Sequence, residues 1–428
     1  MCGIAGTIGE QEIQEYIIKK TLDVLKKRGP NARGFVRKKI KNIHLNLLHT
    51  RLTIIDPNPL SNQPFERDDI ILVFNGEIYN YIELSKILKS KGYNFKTKSD
   101  TEVLICSYLE WGLEFVSKLE GMWSFALYDL KKGVLYLSRD RFGEKPLFFL
   151  NDNNTLYFGS EGKAISALLN RKLEINIPKI KSYMINGFRS IFKDKKTFFK
   201  NVFEVQPGEI ISINLNLNVK KKRYWDLKYN PKEITKKKLK SELREKLFNS
   251  MKLCLRSDVP LAFCLSGGID STSLASMAKK IFNYDVNSFS VIDDDERYNE
   301  YLNINKTIND LDCNSYFSQV SKISFFENMK EIISYFEAPI PTISYYVHNF
   351  LSKMVSQKGF KVVISGTGAD EIFSGYYDHY RFWLYENANT NNFDNLIKDW
   401  KNTYGRWENN PLLKNITNFK NKIDIEKH

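Results

Sequence analysis

Cysteine is scarce in this 428-residue sequence. The five present, at positions 2, 106, 254, 264 and 313, contain no C-x-x-C pair. That pattern excludes a disulfide framework and a thiolate zinc site. Histidine is equally scarce, at five residues. His49, His348 and His379 lack metal-ligand spacing and read as packed or hydrogen-bonded rings. Long apolar runs are missing. The longest, Ile70–Phe74, is strand-sized, against the ~18 residues needed to cross a bilayer. The opening MCGIAG has neither a basic n-region nor an apolar h-region, so no signal peptide is expected. These absences point to a cytoplasmic protein with no membrane partner. No Gly-Lys-Ser/Thr loop occurs where a Walker A motif would need one.

Positive charge is in excess. Lysine and arginine total 64 against 50 acids, a net +14. Only 15 of the 64 are arginine, and the lysines spread along the whole chain. Nucleic-acid surfaces cluster arginine or carry a recognisable module, and neither is seen. The charge therefore reads as a solvated lysine surface, with no nucleic-acid partner. Hydrophobic residues at 42% and charged residues at 27% describe a folded chain long enough for two domains.

The first ~220 residues read as short strands with few helices. Ile18, Leu22 and Leu25 share a helix face, and Ile70–Phe74 is a buried strand running into Asn75-Gly76. Ser99-x-x-Glu102 has capping-box spacing ahead of a helix through Val103–Leu109. Gly121–Tyr128, Val134–Ser138 and Thr155–Phe158 look like sheet. Lys220–Arg223 and Lys236–Lys238 bracket an expected linker. Beyond it the rhythm becomes strand–loop–helix: Leu261–Leu265 into SGGIDST, Val286–Val291 into an acidic loop, and Lys361–Ile364 into SGTGADE. That alternation argues for a parallel sheet with helices on both faces. Asn387–Asn395 reads as loop, the aromatics from Tyr376 to Tyr385 as helix packing, and the last ~25 residues as helix.

Two stretches carry chemistry. If Met1 is removed, Cys2 bears a thiol and a free α-amine on one residue. That amine has an ordinary pKa near ~7.7–8.0 and can take the thiol proton. An Asn side chain plus a Gly amide, as in Asn75-Gly76, can build an oxyanion hole. Arg51 can grip a carboxylate, and Glu77 with Asp100 can hold an ammonium group. The second stretch is SGGIDST, 266–272, directly after an apolar strand. Its glycines let backbone amides close on an anion at a helix N-terminus, and Asp270 adds a hard-cation ligand. SGTGADE repeats the arrangement and brings Asp370 and Glu371. Cys254 and Cys264 read as buried thiols.

MCGIAG, RGPN, HTRLTIID, NGEIYN, SDTE and RDRFGEKPL together resemble a class II glutamine amidotransferase domain. SGGIDST and SGTGADEIFSGY resemble a pyrophosphate-loop synthetase domain. In this order the two resemble the glutamine-hydrolysing asparagine synthetase family over nearly the whole chain. The resemblance implies an α+β N-terminal nucleophile αββα sandwich over residues 2–225. An α/β parallel-sheet, ATP-binding domain would follow over 226–428. Cys2 would attack the glutamine amide, with Asn75 and Gly76 as oxyanion hole. Arg51 would hold the glutamine carboxylate, with Glu77 and Asp100 on its amino group. ATP would lie against Leu265, Ser266, Gly267, Gly268, Asp270, Ser271, Thr272, Val291, Ser365 and Gly366, with Mg²⁺ at Asp270 and Asp370. Ammonia would pass internally to a carboxylate acceptor, aspartate in the leading reading. A homodimer is also expected on this basis.

Two departures qualify the resemblance. Asparagine-forming members usually carry an acid at the third position of the second glycine loop, where this chain has Thr367. Thr367 is therefore the acyl-transfer candidate, and amidation of another carboxylate, such as a surface-polysaccharide uronic acid, stays open. Family members also continue past residue 428 through further helices. The second domain is thus expected to be incomplete, which leaves a glutaminase-only or truncated subunit as a third reading.

Overall fold

A computed structural model describes residues 1–293, 295, 299–319 and 325–407. Among these residues the first half folds into two six-stranded antiparallel sheets. One sheet contains β1 (Gly3–Gly9), β2 (Ala32–Ile40), β3 (Ile43–Arg51), β8 (Phe148–Asp152), β9 (Thr155–Gly159) and β10 (Phe203–Glu204), in the order β10-β8-β9-β1-β3-β2. The other contains β4 (Phe65–Arg67), β5 (Ile70–Ile78), β6 (Gly121–Asp129), β7 (Val134–Arg139), β11 (Glu209–Asn214) and β12 (Val219–Arg223), ordered β12-β11-β7-β6-β5-β4.

Burial on both faces explains why the central strands are almost wholly apolar. Ile4, Ile8, Leu45, Leu47, Ile71 and Val73 fill the space between the sheets. The outer face of the first sheet is covered by α1 (Glu15–Leu25) and α4 (Gly162–Leu168), through Ile18, Leu22, Leu25 and Ile165. The outer face of the second carries α2 (Tyr81–Ser90) and α3 (Asp100–Trp111), packed through Leu84, Leu88, Leu104 and Phe125. The four αββα layers expected from the resemblance are present.

Sheet three is parallel, in the order β15-β14-β13-β16. Its strands are β13 (Leu261–Cys264), β14 (Asn287–Ile292), β15 (Asn314–Gln319) and β16 (Val362–Ile364). Helices Lys236–Cys254, Ile269–Phe282 and Tyr301–Leu311 pack one face through Met251, Ala275, Ala278 and Ile304. Helix Ser344–Gln357 covers the other at Phe289 and Val355. No helix among the described residues is long and apolar enough to cross a membrane.

Lys220–Arg223 belongs to β12, the edge strand of the second sheet, and with Lys236–Lys238 at the start of the next helix it brackets the expected linker. Its exposed lysines suit an edge, because charge there opposes pairing with another chain. The capping box at Ser99 is half built. Ser99 Oγ accepts from Thr101 N at 3.1 Å, but Glu102 turns away, accepting from Thr97 N at 2.7 Å and pairing with Arg67 at 2.7 Å. Asn387–Asn395 is not all loop, since helix Phe393–Asn402 starts inside it and buries Phe393, Ile397 and Trp400. The aromatic helix Tyr377–Glu386 buries Leu384 but leaves Phe382 and Trp383 exposed. Cys254 and Cys264 are half-buried. The expectation of a helical C-terminal stretch lies outside the described residues from 408 onward.

Candidate active site

Cys2 immediately precedes β1, and the pairing of Gly3 with Thr50 sets it across from Arg51 at the end of β3. The Leu52 amide donates to Cys2 Sγ at 3.3 Å, and the thiol donates back to the Leu52 carbonyl at 3.7 Å. Arg28, from RGPN, donates to the Cys2 carbonyl at 2.9 Å while pairing with buried Glu161 at 3.0 Å. The backbone of Cys2 is thereby held in place.

The second sheet supplies the facing groups through β5. A Cβ on Gly76 would come within 2.1 Å of the Met122 carbonyl, so only glycine lets β5 lie this close to β6. Asn75 is buried; its Nδ2 lies 3.4 Å from Ser124 Oγ and its Oδ1 has no partner among the described residues. His49 ties the sheets together, its Nε2 lying 3.1 Å from the Phe74 carbonyl. Burial pushes its pKa down to about 3, so the ring is neutral packing, as its spacing implied.

Glu77 and Asp100 are both buried. Burial raises Glu77 to about 7, with the Asp100 charge adding to it. Burial also raises Asp100 to about 6, against hydrogen bonds that include Ile78 N at 3.0 Å. Two desolvated carboxylates side by side favour a cation between them. The Arg51 guanidinium donates to the carbonyls of Asn58 at 3.1 Å, Ile55 at 3.2 Å and Asp56 at 2.5 Å, and to Asn62 Oδ1 at 2.8 Å. Both Nη atoms of Arg51 are engaged, which leaves its Nε–H outside these bonds.

All six of these sequence-derived residues line one cavity of about 450 Å³. Lys145, Gln63, Thr101 and Met122 line it too, and sequence reasoning gave them no role. Lys145 had a signal in RDRFGEKPL. Buried Asp140 accepts from the amides of Phe142, Glu144 and Lys145, each at 3.0 Å, and this turn delivers Lys145 to the cavity. Ser352, Lys361, Val362 and Val363 form a further wall, contributed by the other half of the chain.

Met1 is half-exposed beside Cys2. Its amine is pushed down to about 5, chiefly by burial and then by neighbouring Arg28 and Lys145. Removal of Met1 would leave the α-amine on Cys2, the residue that carries the thiol. With Met1 in place, burial raises the Cys2 thiol above its ordinary value.

At the carboxyl edge of the parallel sheet the two glycine loops meet. A Cβ on Gly366 would lie 2.9 Å from Ser271 N and 3.0 Å from Asp270 Cβ. Gly267 adopts φ +75°, close against Glu300 and Asn303. Helix Ile269–Phe282 starts at Gly268 without a side-chain cap. Its first amides are therefore free for an anion, and Thr272 Oγ1 is buried without a partner among the described residues. Leu265 directly follows β13, and Val291 is the second-to-last residue of the neighbouring β14. Ser365 Oγ and Thr367 Oγ1 share a hydrogen bond of 2.8 Å. Asp370 sits on a one-turn helix, its carboxylate enclosed by Gly375. No group of three or more potential ligands clusters among the described residues. Asp270 lies in the first turn of helix Ile269–Phe282, against Gly366 of the second loop.

A family model described as a glutamine amidotransferase domain matches residues 1–225, and one described as asparagine synthase matches residues 242–424. The chain is 33% identical over 385 residues to glutamine-hydrolyzing asparagine synthetase 1 of Bacillus subtilis (strain 168), spanning 88% of this chain and 59% of that protein. It is 32% identical over 403 residues to putative glutamine-hydrolyzing asparagine synthetase 2 of Methanocaldococcus jannaschii, spanning 89% and 76%. Against amidase chry2 of Gibberella zeae it is 31% identical over 413 residues, spanning 88% and 59%.

Proposed function

The chain belongs to the glutamine-hydrolysing asparagine synthetase family, and from that premise we propose that it is an ATP-dependent amidotransferase moving the amide nitrogen of glutamine to a carboxylate acceptor. We assign glutamine hydrolysis to residues 2–225 and acceptor activation to residues 226–428. The observation that carries the reading is the shared cavity. Cys2 opens into a space whose far wall is Lys361–Val363, and that segment runs directly into Ser365-Gly366-Thr367.

Glutamine would lie with its α-carboxylate on Arg51 and its ammonium between Glu77 and Asp100. The Cys2 thiol passes its proton to the Cys2 amine as sulfur bonds to the amide carbon. Asn75 and the Gly76 amide stabilise the oxygen that takes the charge. The proton then goes to the departing nitrogen, the C–N bond breaks, and water releases glutamate from the thioester. Ammonia released into bulk water at pH 7 would be protonated and lose its nucleophilic lone pair, which favours a closed passage. In the other half, the amides of 267–270 and the Ser266, Ser271 and Thr272 hydroxyls would hold the ATP phosphates, with Asp270 and Asp370 on a nucleotide-borne Mg²⁺. Bound Mg-ATP would supply the electrophilic phosphorus that activates the acceptor.

Aspartate is the proposed acceptor, because the family's name-giving members are asparagine synthetases. A second reading has a specific motive. Thr367 gives the second glycine loop a hydroxyl where asparagine-forming members usually carry an acid, and relatives include an amidase. The test combines the chain with glutamine, Mg-ATP and either aspartate or a uronic acid. One AMP and one pyrophosphate are expected per glutamine consumed, with the true acceptor only. Formation of ADP and phosphate would overturn the proposal.

A further inference from the structure

The carbonyls that fix the Arg51 guanidinium belong to a loop that the other half of the chain holds in place. Asp56 supplies one of them at φ +48°, a left-handed conformation that aspartate tolerates but that needs support. Its amide donates to Asp258 Oδ2 at 2.7 Å. The Asp258 amide in turn donates to the Ile54 carbonyl at 3.2 Å. Lys361 Nζ donates to the Thr53 carbonyl at 3.1 Å, and Lys361 also lines the Cys2 cavity. Three of the four residues of the loop, 53, 54 and 56, are thus tied across more than 200 residues of sequence. Both anchors stand at the amino ends of strands whose carboxyl ends carry the glycine loops: Asp258 ahead of β13, Lys361 ahead of β16.

We propose that Asp258 and Lys361 are positioning residues for glutamine: they hold loop 53–56 so that its carbonyls set the Arg51 guanidinium for the substrate carboxylate. The glutamine site is then completed by the ATP-binding half. This rests on the reading of Arg51 as the carboxylate clamp. Neither residue touches the reacting amide, so their loss weakens binding without slowing the chemistry.

The test uses the full chain and steady-state glutamine hydrolysis. The Asp258→Ala, Lys361→Met double variant is expected to raise the KM for glutamine about tenfold, from two weakened charge-assisted hydrogen bonds, with kcat within about twofold. Lys361→Arg, which keeps a donor for the Thr53 carbonyl, should hold KM near that of the unsubstituted chain, where Lys361→Met does not. Tyr183→Phe removes a different tie between the halves, the 2.8 Å bond to the Ile340 carbonyl, and should leave KM unchanged. Arg51→Met separates the two levels of the argument. If it does not raise KM, the clamp reading falls and the inference falls with it. If Arg51→Met raises KM and the double variant does not, or lowers kcat alone, the positioning role is refuted while the clamp stands. Should the double variant not fold, Lys361→Met alone is read, with about a threefold rise in KM expected.

Discussion

Replacing Cys2 with alanine is expected to lower glutamine hydrolysis by about 10⁴-fold or more, while ammonium-supported pyrophosphate release keeps its rate. Removal of a nucleophile from a preorganised site leaves only the residual contribution of binding and oxyanion stabilisation. Alanine is as small as cysteine and keeps the N-terminal sequence open to Met1 removal, so the variant isolates the thiol. Its structural cost is low. Cys2 is only half-buried, and its sulfur makes two long contacts, both to Leu52. Circular dichroism and an unchanged melting temperature would show the fold intact. A folded variant that lost both activities would contradict a two-site enzyme, and one that retained glutamine hydrolysis would remove Cys2 from the mechanism.

Acidification is expected to weaken glutamine binding steeply. Glu77, at about 7, and Asp100, at about 6, must both be ionised to hold the substrate ammonium. Independent titrations at those values give a KM about 100-fold higher at pH 5.5 than at pH 8; the two steps belong to the pair as a whole. The sign for stability is opposite. Both carboxyls are raised above their unfolded values, so the folded state holds extra protons between about pH 4 and 7. Their contribution to stability is present below that window and declines as pH rises through it. Glutamine neutralises the repulsion, and the melting-temperature gain on adding it should therefore grow from pH 5.5 to pH 8. Glu77→Gln should flatten the KM profile above pH 6. A KM independent of pH across this range would show that these acids do not bind the ammonium.

Much of the cavity in the first half was readable from sequence because its residues sit in short local strings. Cys2, Arg51, Glu77 and Asp100 lie at or next to strand or helix ends, Asn75-Gly76 lies within β5, and the sheet register gathers them in one cavity. Lys145 was missed for a physical reason: its position depends on the Asp140 turn, a set of backbone bonds that leaves no periodic trace. Asp258 and Lys361 were missed because their role is a contact between halves, and a single sequence does not encode which distant carbonyl a lysine will meet. Strand β15 escaped notice because an edge strand with alternating exposure, Asn314–Gln319, lacks the apolar run that marked its neighbours.

The central claim is that both sites of this chain act on one nitrogen atom. It is tested most directly by supplying glutamine labelled with ¹⁵N in its amide, together with Mg-ATP, aspartate and an excess of unlabelled ammonium at limiting affinity, and following the label by mass spectrometry. The account predicts ¹⁵N in the amidated product at higher enrichment than in free ammonia, with one pyrophosphate formed per molecule of amidated product. Glutamate appearing while all the label equilibrates with free ammonia would contradict it.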